Sequence, residues 1–79
     1  MAARGIYIGN LKESDVGRWV QYVPGHGPRE TGRIKSWNTK YIFVVYNCAR
    51  DWQNYRNYTA AATKPEDLEF IRAERAVTP

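Results

Sequence analysis

Thr31-Gly32-Arg33-Ile34-Lys35-Ser36-Trp37, a tight Asn38-Thr39-Lys40, then Tyr41-Ile42-Phe43-Val44-Val45-Tyr46 is the stretch that decides the fold. Val, Ile, Tyr and Trp suit the pleated, half-buried surface of a strand, and a short polar segment between two such runs supplies a reversal. The preceding stretch, Gly17-Arg-Trp-Val-Gln-Tyr-Val23, has the same character. Pro24-Gly-His-Gly-Pro28 separates the two, a loop by composition. Three meandering strands within 79 residues predict a small β-barrel.

Alternation assigns the faces. In the second strand, Glu30 to Trp37, Arg33, Lys35 and Trp37 fall on one side, and Ile34 with Gly32 and Ser36 on the other. Cations belong in water, so Ile34 is expected in the core. The first strand, Arg18 to Val23, is ambiguous: Val20 and Tyr22 share one face, and Trp19, Gln21 and Val23 the other. The third, Tyr41 to Tyr46, is apolar on both faces, as in a strand covered on both sides or one with a functional aromatic face. Asn38 suits the hairpin because it tolerates a left-handed backbone.

Elsewhere the signals are shorter. Ile6-Tyr-Ile8 offers an edge strand, and Asn10-Leu-Lys-Glu13 has capping-box spacing for a helical turn. Asp51 is placed to cap a turn or two in which Trp52, Tyr55 and Tyr58 recur every third residue along one side. Thr59 to Ala62 reads as a fourth strand. Thr63-Lys-Pro-Glu66 repeats the capping-box pattern, with Pro where a missing N–H costs nothing. Leu68, Phe70 and Ile71 close as a fifth strand. The expected organisation is a lead-in over 1–9, one barrel over 10–72 and a frayed tail over 73–79. The fold class is mainly β: a small five-stranded barrel with one or two short helical turns.

Composition limits the function. One Cys excludes an internal disulfide, and Cys48 at a strand end reads as a packing residue. Met1-Ala-Ala-Arg-Gly5 has no apolar continuation resembling a signal peptide, and no apolar run nears the length of a membrane span, so a cytoplasmic protein without membrane contact is expected. His26 has no second His or Cys pair beside it, so no metal and no cofactor are expected. No nucleophile, base and acid gather in the sequence, so no catalytic residues and no enzyme are expected.

Asp15-Val-Gly-Arg-Trp-Val-Gln-Tyr22, Gly32-Arg-Ile-Lys-Ser-Trp-Asn38, Phe43-Val-Val-Tyr46 and Pro65-Glu-Asp-Leu68 together resemble SH3-like barrels of the Tudor branch. They are also similar to small, uncharacterised proteins encoded by tailed bacteriophages and prophages. The resemblance implies a phage or prophage gene product acting inside a bacterium. The function expected in that context is a non-catalytic protein-binding module that docks on a host or phage protein, in some settings inhibiting host machinery or defence. Positions matching an aromatic docking rim are Tyr22, Tyr46, Trp52 and Tyr55, with His26 in the first loop and Asp51 as counter-charge. The alternative for Trp52 and Tyr55 is a lid over the open barrel end. A second reading is nucleic-acid binding by Arg33, Lys35, Trp37 and Lys40, cations interleaved with a stacking ring. A third is a structural homo-oligomer sealed by exposed aromatics.

Overall fold

The computed structural model describes residues 5–71; the tail expected over 73–79 and the first residues of the lead-in lie outside them. Five antiparallel strands form one sheet: β1 (Trp19–Tyr22), β2 (Glu30–Trp37), β3 (Ile42–Val45), β4 (Ala61–Thr63) and β5 (Leu68–Phe70), in the order β4-β3-β2-β1-β5. Four 3₁₀ turns complete the structure: Ile8–Asn10, Glu13–Asp15, Trp52–Asn57 and Pro65–Asp67. Among the described residues no helix is long and apolar enough to cross a membrane.

The order of the sheet fixes its shape. β4 and β5 are its two edges, yet only Lys64 to Asp67 separate them in the chain. Edges of a flat five-stranded sheet stand about 19 Å apart, whereas a 3₁₀ link of this length covers roughly 10 Å. The sheet must therefore curl until its outer strands approach each other at that end. It stays open, because no ladder joins β4 to β5 among the described residues.

Curling gives two unlike faces. The inner one packs Val20, Ile34, Ile42, Val44 and Leu68, all fully buried, with Ile6 closing one end. Ile6 is not in an edge strand as its sequence suggested. Its N–H donates to the Pro65 carbonyl at 2.9 Å and its side chain drops into the core. The outer face carries a second cluster, Val45, Cys48 and Tyr55, flanked by Trp52, Tyr58 and Ala60. β3 is thus covered on both sides, the first of the two explanations for its uninterrupted apolar run. The first strand is resolved too: Tyr22 packs on the inner core, and Trp19 meets Trp52 outside.

Trp37 departs from strict alternation. β2 pairs Ile34 with Val44 but Ser36 with Phe43, so Lys35 is an extra residue, a bulge. Beyond it the side chains change faces, and Trp37, opposite Ile42, packs on the inner core instead of sharing a face with Arg33 and Lys35.

The local signals needed other corrections. Asn38 shapes the hairpin through its side chain: Oδ1 accepts the Lys40 and Tyr41 N–H groups at 2.7 Å each, and its φ is not left-handed. The Asn10–Glu13 box does not form; two residues on, the Asp15 carboxylate takes the Lys12 N–H at 2.9 Å. Arg18, 3.1 Å from that carboxylate, helps hold the Asp15 carboxyl below its ordinary range, after the Lys12 N–H itself. Thr63 caps nothing, since the last turn starts after Lys64; Pro65 does occupy its first position. β4 begins two residues later than read from sequence.

Gly32 is required by close approach. A Cβ there would stand 2.5 Å from the Val45 carbonyl oxygen, 2.6 Å from Val44 Cγ1 and 3.1 Å from the Tyr46 ring. Two of these are backbone and core, so nothing soft can yield. Gly32→Ala is expected to destabilise the protein by about 2–3 kcal/mol, read as a lower urea midpoint with unchanged slope. An unaltered midpoint would show that β2 and β3 separate freely here.

Candidate functional site

Because Gly32 has no side chain, the Tyr46 ring lies across β2 towards Tyr22, meeting it edge-on with centroids 6.2 Å apart. Beside this pair is a hollow of about 430 Å³ on the β4 side. Tyr22, Tyr41 and Tyr46 give it three phenol rings, Glu30 and Asp67 two carboxylates, and Lys64 one cation. The curl of the sheet assembles these from the ends of β1, β2, β3 and β4 and from the last 3₁₀ turn.

Tyr46 is the anchor. Its hydroxyl is 2.9 Å from Thr63 Oγ1, and Thr63 in turn donates to the Ala61 carbonyl at 3.2 Å. Either hydroxyl can donate in the Tyr46–Thr63 contact. Burial raises the Tyr46 hydroxyl from an ordinary 10.0 to about 12; the Thr63 contact opposes the rise, and Glu30, Tyr22 and Asp67 reinforce it. Rings edged by carboxylates attract an ammonium or guanidinium group, and a neutral Tyr46 presents its ring to one.

The six residues expected at a docking rim are not brought together. Tyr22 and Tyr46 share the hollow, and His26 sits in the exposed Pro24–Pro28 loop. Asp51, Trp52 and Tyr55 belong to the segment on the opposite, outer face. Tyr55 is only 6% exposed, and Trp52 is packed edge-on against Trp19 at 4.7 Å. Asp51 accepts from Asn54 Nδ2 at 2.9 Å and from the Tyr58 hydroxyl at 3.3 Å, without capping a backbone N–H. Trp52, Tyr55 and Tyr58 do come to one side, all three contacting the Val45–Cys48 cluster, although the segment is two short turns kinked at Asn54 and Tyr58 is extended beyond its end. Burial pushes the Cys48 thiol above its ordinary value, in keeping with a packing residue.

Arg33 fastens this outer segment. Its Nε donates to the Gly17 carbonyl at 2.7 Å and Nη1 to the Trp52 carbonyl at 3.0 Å. The guanidinium lies 4.4 Å from the Tyr55 ring centre and 5.2 Å from that of Trp19. Gly17, with φ of 92°, has a backbone that other residues rarely adopt, and a Cβ there would crowd the Tyr55 hydroxyl at 3.0 Å and the guanidinium at 3.2 Å. Lys35 is engaged similarly, donating to the Tyr58 carbonyl at 2.9 Å. The expectation that Arg33 and Lys35 are solvated is therefore overturned. With Trp37 inside, only Lys40 of the four proposed nucleic-acid contacts is exposed.

Sequence reasoning missed Gly32, Glu30, Thr63, Tyr41 and Asp67 as parts of the site. Tyr41 and Tyr46 flank one short strand, which is a visible signal. The roles of Thr63 and Asp67 follow only once the sheet is curled. Among the described residues no three His, Cys, Asp or Glu side chains gather to hold a metal ion.

Arg33→Met orphans two carbonyls and is expected to cost about 2–3 kcal/mol, while Ellman's reagent reacts faster with Cys48. Arg33→Lys should recover less than half of the loss, lacking the planar fork. An unaltered Cys48 rate in Arg33→Met would show that the segment is held without Arg33.

The Tyr46 hydroxyl gives a pH test. Its neutral form is favoured by the fold, so its contribution to stability is complete below pH 10 and is lost as the pH rises towards about 12. Tyr46→Phe should flatten that loss in urea titrations at stepped pH. Some slope remains, because burial and the Asp51 carboxylate also raise Tyr58. An identical pH profile would place Tyr46 in ordinary solvent. No protein-family model, no curated protein and no solved structure matches this chain, so the chemistry of the hollow is read from its own residues.

Proposed function

We propose that this chain is a non-catalytic binding module, an SH3-like barrel of phage or prophage origin that docks on a host or phage protein in the bacterial cytoplasm. The observation that carries the docking reading is the hollow of about 430 Å³ beside the Tyr22–Tyr46 pair. Three tyrosines at an open mouth combine apolar area with polar tips, the mixture enriched where proteins meet. The barrel reading is supported by the strand order and by the single 3₁₀ turn that joins the two outermost strands. The phage origin rests on the sequence resemblance. An inhibitor of host machinery or defence is one form such a docking protein takes.

The nucleic-acid reading has less support, since Arg33 and Lys35 spend their donors on backbone carbonyls of the protein itself. A phosphate strand would find Lys40 without the neighbours expected to accompany it.

Site-specific photocrosslinking tests the docking reading. Tyr41 is 38% exposed and lines the hollow, so a benzophenone side chain there reaches a partner without unfolding the core. Expressed in the host, it should yield a discrete adduct with another protein, absent from a probe at the exposed Gln53 and lost in Tyr22→Ala. Adducts of equal yield from both probes, or self-adducts alone, would reject the reading; the latter would favour a homo-oligomer.

A further inference from the structure

We propose that the outer edge of β4 receives an extended segment of a partner protein, which continues the sheet and lowers one Arg or Lys side chain into the tyrosine hollow. This rests on the docking reading above and supplies the chemistry of the partner.

β4 has one neighbour, β3. Apart from the Thr63 hydroxyl on the Ala61 carbonyl, no bond outside that ladder engages the backbone of Ala60, Ala61 or Ala62 among the described residues. Exposed edges are ordinarily kept very short or blunted by a charge, a proline or a bulge; β4 is short, three residues, and Lys64 and Pro65 stand just beyond its end. Within the strand and the two residues before it, Thr-Ala-Ala-Ala-Thr over 59–63, there is no charge and no proline, and the pairing of Ala61, Ala62 and Thr63 with β3 is regular. Small side chains let another backbone approach to ladder distance.

The surface beside this edge is also shaped for side chains. A second hollow, of about 330 Å³, shares Tyr46 and Ala61 with the first, so the two form a furrow running along β4. A strand added there would point every second side chain towards the furrow. Charge selects which residue enters. Glu30 and Asp67 outweigh Lys64, and the rings of Tyr22, Tyr41 and Tyr46 favour a cation over their faces. A second copy of this chain is a poorer occupant, because its net charge of +4 repels itself at long range.

The test titrates the full, ¹⁵N-labelled chain with short capped peptides of alternating Thr and Val carrying Arg, norleucine or Glu at the centre. The Arg peptide should shift the amides of Ala61, Ala62 and Thr63 together with the Tyr22 and Tyr46 ring signals. Norleucine in place of Arg, or Glu30→Gln with Asp67→Asn in the protein, should weaken binding by about tenfold, and the Glu peptide should bind least. Equal binding of the Arg and norleucine peptides would overturn the cation selection while leaving the hollow a docking site. No peptide shift at β4, with the Tyr41 crosslink intact, would overturn the added strand and spare the docking reading. Loss of both removes both. The same amides shifting with protein concentration alone, with a dimer in sedimentation, would name a second copy as the occupant.

Discussion

Four residues, Lys64 to Asp67, have to carry the chain from one edge of the sheet to the other, and the rest of the structure follows from that reach. A link this short is incompatible with a flat sheet. Once the sheet curls, Val20, Ile34, Ile42, Val44 and Leu68 converge on one interior, and no covering helix is needed. The same constraint brings Thr63 at the end of β4 within hydrogen-bond distance of Tyr46 at the end of β3. It also brings Asp67 to the rim beside Tyr22. Core and candidate site are therefore two consequences of one geometric condition. The ring ladder stops short of closure, which leaves β4 with an unpaired edge and the hollow with an open side.

Curling solves the inner face and exposes the outer one, where Trp19, Val45 and Arg33 would otherwise meet water. The chain covers them with its 3₁₀ segment Trp52–Asn57. To bring it there, the turn from Cys48 to Asp51, closed by the Asp51 N–H on the Cys48 carbonyl at 2.8 Å, places Ala49 and Arg50 at φ of 51° and 68°. Each such residue costs on the order of 1–2 kcal/mol. Burial of Cys48 and Tyr55 offsets that, at roughly 1.5–3 kcal/mol for a large side chain. Among the described residues Arg33 joins the layers through carbonyl oxygens and ring faces, without a carboxylate partner. Carbonyl oxygens and ring faces carry partial negative charge, and each charge-assisted bond contributes about 1.5–3 kcal/mol. A full counter-ion is unnecessary when the cation is only half-buried.

The sequence revealed what depends on neighbours along the chain. Strand residues with a period of two located β2 to the residue and β1, β3 and β5 to within one or two, and Trp52, Tyr55 and Tyr58 came to one side as expected. It failed where one inserted residue or a distant contact decides. The bulge at Lys35 moved Trp37 to the inner face, and nothing in Arg33-Ile-Lys-Ser-Trp37 announces a bulge. Arg33 and Lys35 were read as solvated because charge usually is; their carbonyl partners lie 16 to 23 residues away in the chain. Thr63 and Asn10 matched a capping pattern of wide occurrence, and in Thr63 a tertiary contact with Tyr46 took the hydroxyl. Of the site, Tyr22 and Tyr46 were legible as strand-end aromatics. The carboxylates facing them were not, because Glu30 and Asp67 meet only across the curl.

An open hollow is the costlier solution for stability. Closing β4 onto β5 would satisfy the free edge and bury Tyr41, and an apolar residue in place of Tyr46 would need no hydroxyl partner. Instead Tyr46 holds a protonated phenol against Thr63, and two carboxylates stand near rings they do not bond. A core under selection for packing alone tends to lose such groups, since half-satisfied polar clusters stabilise less than apolar ones. The outer face shows what packing alone achieves in this chain: Arg33, Lys35 and Asp51 each have partners within 3.3 Å, and Tyr55 is closed from solvent. The completed outer layer contrasts with the open inner mouth, and that contrast is what supports placing the proposed docking at the mouth.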